Sequence, residues 1–597
     1  MRSVYEVQTQ APLVLFVVTK ESSMSDYDAM SGLQPGLEAV LASPFDLAAR
    51  AQLALGGCIG LRNMARAGQP YTYAELHTEP PLAFHAPWDY ADVAGRLLEA
   101  LTFIRIMTGT APDEADASYA QILASCQRED GLISLPAEAW THTAPVVELD
   151  WSQRGALMAW TTRYLALGDQ EALRRANRLV HALYKTAVWE GETCWYPASF
   201  LPAGGWTDRL PPIGRMTDLL IGAQIVFPLA RLACATGNSE ALQLAKGLIR
   251  FHRERSGAFT EDGRMTDKAG RYLHSTTGFL LGTLKYAVVT SRTEMVEWVE
   301  AAYKNVCEWG TDFGFFPHRT HGKDRWQGDL CATQDMIEIA ILLGLNRDHS
   351  YFADAERFGR NHLLESQILN LDWVDQGREA PFCQEIWGAQ HPPEGVTTDS
   401  VARRAVGGFA SWTRFNDAFD PANPRLMQRC NGAGARAVYD LWHHAVARTE
   451  SAVMVNAHFS RDTRWAGVTS YVPMAGRVDV LMKTRGVLAV RVPAHLSSDQ
   501  VQVHVNGVRP RQEVLRGGYA WLEALQLGDR VKVEWPLEER ATFYEMNQER
   551  MLANWRGDTL LRMDPAGTLS PLYRRSTQIA PAPARGVTGP VKEIDPL

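Results

Sequence analysis

A change of hydrophobic period near residue 450 divides this chain. Before it, apolar residues recur three and four apart, the spacing of one helical face. Asp92–Met107 (DVAGRLLEALTFIRIM) has this spacing. So do Arg154–Leu167, Gln170–Val188, Leu219–Thr236, Glu240–Arg253, Thr277–Val289, Glu294–Glu308, Gln334–Leu343, Phe352–Leu369 and Gly434–Val446. Several of these segments stop at glycine and restart at once, as at Thr108-Gly109, Leu167-Gly168-Asp169 and Thr236-Gly237-Asn238, the pattern of paired helices joined by short turns. No βαβ alternation interrupts them. Helix hairpins in such numbers build either an open solenoid or a closed toroid. No fixed repeat signature supports the solenoid. Long connectors rich in aromatics and proline, Thr193–Pro212, Gly310–Cys331 and Leu371–Pro424, suit loops crowded around one mouth of a toroid.

After residue 450 the period becomes two. Ser451–Phe459, Gly467–Pro473, Arg477–Met482, Val487–Pro493, Val501–Asn506, Ala520–Leu525 and Asp529–Trp535 are expected strands, separated by turns such as Asn506-Gly507 and Gly517-Gly518, and their spacing suits a β-sandwich. The expected fold is mainly α with a C-terminal all-β domain. It divides into an N-terminal extension (1–35), an (α/α)6 toroid (36–450), a β-sandwich (451–540) and a C-terminal extension with a Pro-rich, poorly ordered tail (541–597).

Composition excludes several classes. The net charge of −8 leaves no basic footprint for phosphate backbones, so nucleic acid is not an expected partner. No apolar run reaches the length of a membrane span. The 18 Trp and 18 Tyr supply flat faces of the kind that stack on sugar rings, though they also fill cores. Eight cysteines lie singly along the chain, without a CxxC pair, which favours reduced thiols and a cytoplasmic setting. The apolar run Ala11–Val18 is a short strand or an over-extended start, with Met24 as a candidate initiator; a poor signal peptide is the alternative. A homodimer is compatible with all of this.

Several motifs carry chemistry beside a structural reading. His274-Ser275-Thr276-Thr277 precedes a helix; Ser and Thr there are good caps, while His274 is a candidate sugar contact. Cys331 opens a helix and is either a small buried residue or a ligand. Cys430 enters another through Asn431-Gly432-Ala433-Gly434. Arg429 suits a substrate carboxylate or a structural pair with Asp417. Glu385 lies between Trp373 and Trp387; it is either an acid whose pKa aromatic surroundings raise for a general-acid role or, equally, a solvated loop charge. Trp206, Trp326, Trp387 and Trp412 fall in loops and are candidate stacking platforms.

In order along the chain, several motifs resemble glycoside hydrolase family 127 and its relatives, formerly a domain of unknown function. These are His274–Thr277, Phe313-Gly314-Phe315-Phe316-Pro317, Asp329-Leu330-Cys331, Arg360–Gln367, Gly407–Trp412, Arg429-Cys430-Asn431-Gly432 and, in the β region, Val487–Pro493, Val501–Gly507 and Gly528–Val531. The resemblance spans roughly residues 85–540. It implies an (α/α)6 toroid followed by a β-sandwich, and a β-L-arabinofuranosidase whose zinc is held by Glu-x-Cys and Cys-Cys pairs. One of those cysteines is the nucleophile, and a separate Glu is the acid/base. Zinc suits this role because it lowers the thiol pKa and holds the thiolate ready.

This sequence departs from that pattern. Asp329 replaces the Glu, and the Cys-Cys pair is reduced to Arg429-Cys430. His318 stands where relatives carry the acid/base Glu. The surviving expected zinc ligands are Asp329, Cys331 and Cys430, with Cys383, His318, His321 or water as the fourth. The expected catalytic residues are Cys430, Glu385 and His318, and the expected substrate contacts are His274, Trp206, Trp387, Trp412 and Arg429. The expected activity is release of a terminal sugar from an oligosaccharide or glycoconjugate. The alternatives are a uronate-sugar hydrolase or lyase on the same toroid, a non-catalytic sugar-binding relative, and a helical scaffold for protein partners.

Overall fold

The computed structural model of the chain describes residues 43–78, 80–138, 140, 143–371, 395–420, 425–510, 514–575 and 581–597. The expected N-terminal extension, Ala11–Val18 and Met24 lie outside these residues, as do Trp373, Cys383, Glu385 and Trp387.

Twelve helices of eight or more residues occur among the described residues. They are α1 (Leu47–Gly60), α2 (Asp92–Thr108), α3 (Glu114–Ser125), α4 (Ser152–Leu167), α5 (Gln170–Thr186), α6 (Val226–Thr236), α7 (Ser239–Arg250), α8 (Leu273–Val289), α9 (Thr293–Cys307), α10 (Leu330–Asn346), α11 (Tyr351–Phe358) and α12 (Gln428–Ala445). The even-numbered helices form a closed ring, α2 against α4, α4 against α6 and so on until α12 packs back on α2. The odd-numbered helices sit outside.

The sequence explains this division. Outer α5 buries Ala172, Ala176, Leu179, Val180 and Leu183, a single stripe, and inner α2, α8 and α10 are buried over almost their whole length. A helix apolar on every side is stable only when enclosed. The chain is therefore an (α/α)6 toroid. The inner helices all run the same way, so their N-terminal ends share one mouth. That mouth is partly covered by a sheet of β1 (Tyr73–Glu75), β2 (Leu82–Phe84), β3 (Val396–Thr397) and β4 (Arg425–Met427), ordered β4-β1-β2-β3.

The β-sandwich follows the last inner helix directly. One sheet orders β5 (Val446–Arg448), β6 (Ala452–Val455), β10 (Gly486–Arg491), β13 (Tyr519–Leu525) and β12 (Val514–Arg516). The other orders β7 (Arg461–Asp462), β8 (Ala466–Ser470), β9 (Gly476–Met482), β14 (Arg530–Trp535) and β11 (Gln502–Val505). Alternate residues, Val478 and Val480 on β9 and Val531 and Val533 on β14, fill the space between them, as a period of two requires.

The region expected as an extension is more ordered than the sequence suggested. Glu539–Met546, Glu549–Arg556 and Thr559–Asp564 (β15–β17) form a three-stranded antiparallel sheet. Its Met546, Met551, Trp555 and Met563 pack with Phe313, Phe315 and Phe415, and so brace the segment that leads into His318. The end of the tail also departs from the expectation. Val591, Ile594 and Leu597 are buried in the toroid core, and Ile594 O accepts a hydrogen bond from Tyr439 Oη at 2.6 Å. The tail thus lies across the far ends of the inner helices, away from the mouth. No described helix is long and apolar enough to cross a membrane.

Candidate active site

Helix N-terminal turns build the site. Asp329 caps α10, its Oδ1 accepting from Cys331 N at 2.9 Å, so the Asp-x-Cys spacing places carboxylate and thiol side by side. Cys430 is the third residue of α12. Its sulfur lies 3.7 Å from that of Cys331, too far for a disulfide, and both thiols are buried and free. Donor atoms of Asp329, Cys331 and Cys430 all lie within 4.8 Å of one another.

These three donors fit zinc. Two sulfurs each about 2.3 Å from a tetrahedral ion stand about 3.8 Å apart, close to the separation seen here. Three protein ligands leave a fourth position open, the pattern of catalytic rather than structural zinc. Without a cation the Cys331 thiol stays protonated, since its hydrogen bond with Cys430 and its burial push it well above the ordinary thiol range. Of the expected fourth ligands, His321 bonds Thr320 Oγ1 at 2.7 Å instead.

His318 stands against Asp329, Nδ1 to Oδ2 at 3.0 Å. Trp412 Nε1 approaches the same nitrogen at 3.3 Å. Burial alone would raise the Asp329 carboxyl, but the hydrogen bond and charge of His318 hold it down to about 2. The shorter contact to this carboxylate keeps a proton on Nδ1, so Nε2 is the ring nitrogen open to exchange a proton with a ligand. The His318 side chain is 17% exposed, enough to meet a ligand. Around it stand Tyr272, with ring centroids 4.9 Å apart, and Trp412, whose other side faces Tyr73.

Arg429 does not pair with Asp417, as one sequence reading had it. Asp417 instead accepts from the backbone N–H groups of Thr568, Leu569 and Ser570. Arg429 Nη1 reaches Asp92 Oδ2 at 3.2 Å, and Arg96 Nε reaches Asp92 Oδ1 at 2.8 Å. The Arg429 guanidinium also lies 5.1 and 5.0 Å from the rings of Trp88 and Trp151. Burial would raise the Asp92 carboxyl, but Arg96 and Arg429 keep it below its ordinary range. Arg429 therefore belongs to the mouth, with a role in holding its wall.

His274 is buried, and both ring nitrogens meet the protein. Nδ1 lies 2.7 Å from Asp335 Oδ2, and Arg154 Nη1 lies 3.4 Å from Nε2. Arginine only donates, so Nε2 accepts and Nδ1 carries the proton. Burial, reinforced by Arg154, lowers the imidazole well below its usual pKa. Its face stacks 5.7 Å from Trp151. His274 therefore supports the Trp151 platform from beneath, in place of the direct sugar contact expected. Trp206 is not brought to the mouth. It packs with Val188, Trp195 and Phe251 and donates to Thr186 O at 2.8 Å.

Five residues that the sequence reading did not single out complete the site: Asp92, Arg96, Trp151, Arg154 and Asp335. Their signal was present as charge on an enclosed helix. Asp92 and Arg96 interrupt the otherwise apolar first turns of α2, and a buried charge needs a reason.

No family model matches this sequence, and no curated protein does. Solved structures do. A GH127 β-L-arabinofuranosidase from Geobacillus stearothermophilus T6 matches with a TM-score of 0.55 at 15% identity, over 80% of this chain and 77% of its own. A second GH127 β-arabinofuranosidase matches with a TM-score of 0.56 at 15% identity, over 88% and 82%. A structure titled simply as a glycoside hydrolase matches at 0.52 and 13%, over 84% of each chain. At these identities the likeness is one of fold: a helical toroid followed by β-sheet domains. The residues at the mouth must argue function themselves.

Proposed function

We propose that this chain is a glycoside hydrolase that holds its sugar at the toroid mouth, with zinc bound by Asp329, Cys331 and Cys430. The observation that carries the reading is the pair of thiols 3.7 Å apart, flanked by the His318–Asp329 dyad. Trp88 and Trp151 flank Arg429, and Tyr272 and Trp412 flank His318, at the same helix ends that the fold presents at its mouth. Glycosidic cleavage needs a nucleophile at the anomeric carbon and a proton for the leaving oxygen. Cys430, in the first turn of α12, is the nucleophile, since a helix N-terminus favours thiolate. Zinc, when bound, supplies the charge that keeps both thiols deprotonated at neutral pH. His318, protonated on both ring nitrogens with Nδ1 held by Asp329, donates its Nε2 proton to the leaving group and then takes one back from water at the same atom. Trp412, beside His318 and backed by Tyr73, is the aromatic contact for the sugar. β-L-Arabinofuranosides are the first substrates to try. Seven described cysteines are free thiols, which supports work on oligosaccharides in the reducing cytoplasm.

The test is elemental analysis of freshly purified protein, wild type against Cys331→Ser and Cys430→Ser, beside assays on nitrophenyl glycosides including the β-L-arabinofuranoside. Near-stoichiometric zinc, lost in both variants together with hydrolysis, is the expected result. Zinc-free wild type that still hydrolyses would overturn the thiolate chemistry, and a zinc protein inert on every glycoside would overturn the enzymatic reading.

A further inference from the structure

Among the described residues, one buried cation in the site has no carboxylate within ion-pair distance. Arg154 sits in the first turn of α4 and is 1% exposed. Its Nε has no hydrogen-bond partner, and its one hydrogen bond among the described residues is the 3.4 Å contact to neutral His274. No carboxylate pairs with it among those residues. Burial, and then the charge of Arg96, lower its pKa to about 10, so it still carries its proton at neutral pH. Burying a guanidinium with unmet donors is unfavourable, and a site that holds one is built to receive an acceptor.

The surroundings add to this. Arg96, Arg154 and Arg429 all lie close enough to Cys331 to feel a charge placed on it. The carboxylates bonded to the ring of arginines and thiols are Asp92, shared by Arg96 and Arg429, and Asp329, held by His318. Asp335 is turned to His274 and Thr277, and burial raises its carboxyl to about 7. Glu148 is spent on the Trp151 and Ser152 N–H groups. Zinc with two thiolates adds no net charge, so metal binding does not remove the excess. The inner helices also point their N-termini, each the positive end of a helix dipole, at this same volume.

We propose that the mouth selects a sugar bearing a carboxylate, a uronic acid residue, with Arg154 as the charge-selecting group. The planar guanidinium matches a carboxylate in a two-bond fork. Trp151 stacks on His274 and lies 5.0 Å from Arg429, so His274 and Trp151 form a packed layer between Arg154 and the Arg429–Asp92 pair, and Arg154 is the guanidinium left to take the acid. This rests on the reading of the mouth as a sugar site, and it names the class of sugar.

Binding of free sugars to the full-length protein, by calorimetry and by quenching of tryptophan fluorescence, tests it. D-Galacturonate and D-glucuronate are compared with their methyl esters, with the neutral hexoses, with L-arabinose and with galactose 6-sulfate. The expected result is a preference of about tenfold or more for the uronates over their esters, weakening as salt rises. Arg154→Gln should bring that ratio close to one, and Arg154→Lys should restore part of it. Equal affinity for uronate and ester in wild type overturns the proposal without any variant having to fold. Binding of the sulfate as tight as the uronate overturns the carboxylate class. Hydrolysis of neutral glycosides alone would sink this inference and leave the glycosidase reading standing. Uronate binding with no hydrolysis of any uronide would do the reverse.

Discussion

The decisive residue pair is His318 with Asp329. Because the Asp329 carboxyl is held down to about 2, it stays ionised through the whole range in which the protein works. Any acid limb of the rate profile above about pH 4 must belong to another group. His318→Gln removes the proton donor and keeps a polar side chain against Asp329, so kcat should fall by about 10²–10⁴-fold with little loss of thermal stability. Asp329→Asn should cost as much activity and weaken zinc retention, yet keep the cap of α10, because asparagine caps a helix about as well as aspartate. Rates across pH together with melting curves for both variants decide the matter. A His318→Gln enzyme with wild-type kcat would remove His318 from the reaction. Arg429 and Cys430, neighbours in sequence, serve different walls of the site because adjacent helical positions point about 100° apart.

At the scale of the element, what matters is how closely inner helices approach. A Cβ on Gly155 of α4 would stand 2.8 Å from Ala91 O and 2.9 Å from Asp92 Cα. Alanine is worth about 1 kcal/mol over glycine in a helix interior, whereas forcing apart a packed backbone costs about 1–3 kcal/mol. The clash prevails because backbone atoms cannot rotate away. Gly155→Ala should therefore lower the melting temperature, and it should reduce activity by displacing the Asp92 end of α2; a more stable variant would show that the two helices separate without strain. The same helices show what was legible in the sequence. Their apolar middles were plain, as was the switch to period two near residue 450. Their first turns were not: the periodic pattern begins at Thr277 in α8 and Gly434 in α12, yet the helices begin at Leu273 and Gln428. The residues left out, His274 and Arg429–Asn431 among them, are polar and buried, and polar burial breaks the pattern by which a helix is recognised. The site thus lies where periodicity fails. Asp92, Arg96 and Arg154 fell inside recognised helices, and Asp335 inside the helix opened by Cys331. Only the packing shows that their charges face one another. The strands of β15–β17 were missed because charge falls on both faces of β15, Glu539 and Glu545 toward solvent and Arg540 over the Trp555 ring, so no apolar alternation marks it.

At the scale of the molecule, toroid and sandwich are joined by charge as well as by apolar contact. Glu356, on the last outer helix, is buried between Arg360, at 2.7 Å, and Arg491 from the sandwich, and it also meets His458 at 3.1 Å. Burial would raise its carboxyl, but His458, Arg360 and Arg491 outweigh that and leave it well below the ordinary glutamate range. A carboxyl depressed by folding adds stability at every pH above its unfolded value of about 4.3, and that stability drains away as pH falls toward the depressed folded value. Glu356→Gln keeps the shape and removes the charge, leaving two arginines buried without their counter-ion. The loss expected at pH 7 is about 3–5 kcal/mol, with the sandwich freed to unfold apart from the toroid. Denaturant unfolding followed by tryptophan fluorescence can report this, because Trp535 of the sandwich sits 5.0 Å from His458. The gap between wild type and variant should be constant from pH 7 to about 5 and narrow below about 4. A gap independent of pH down to 3 would show that packing, and not the charge on Glu356, joins the two domains.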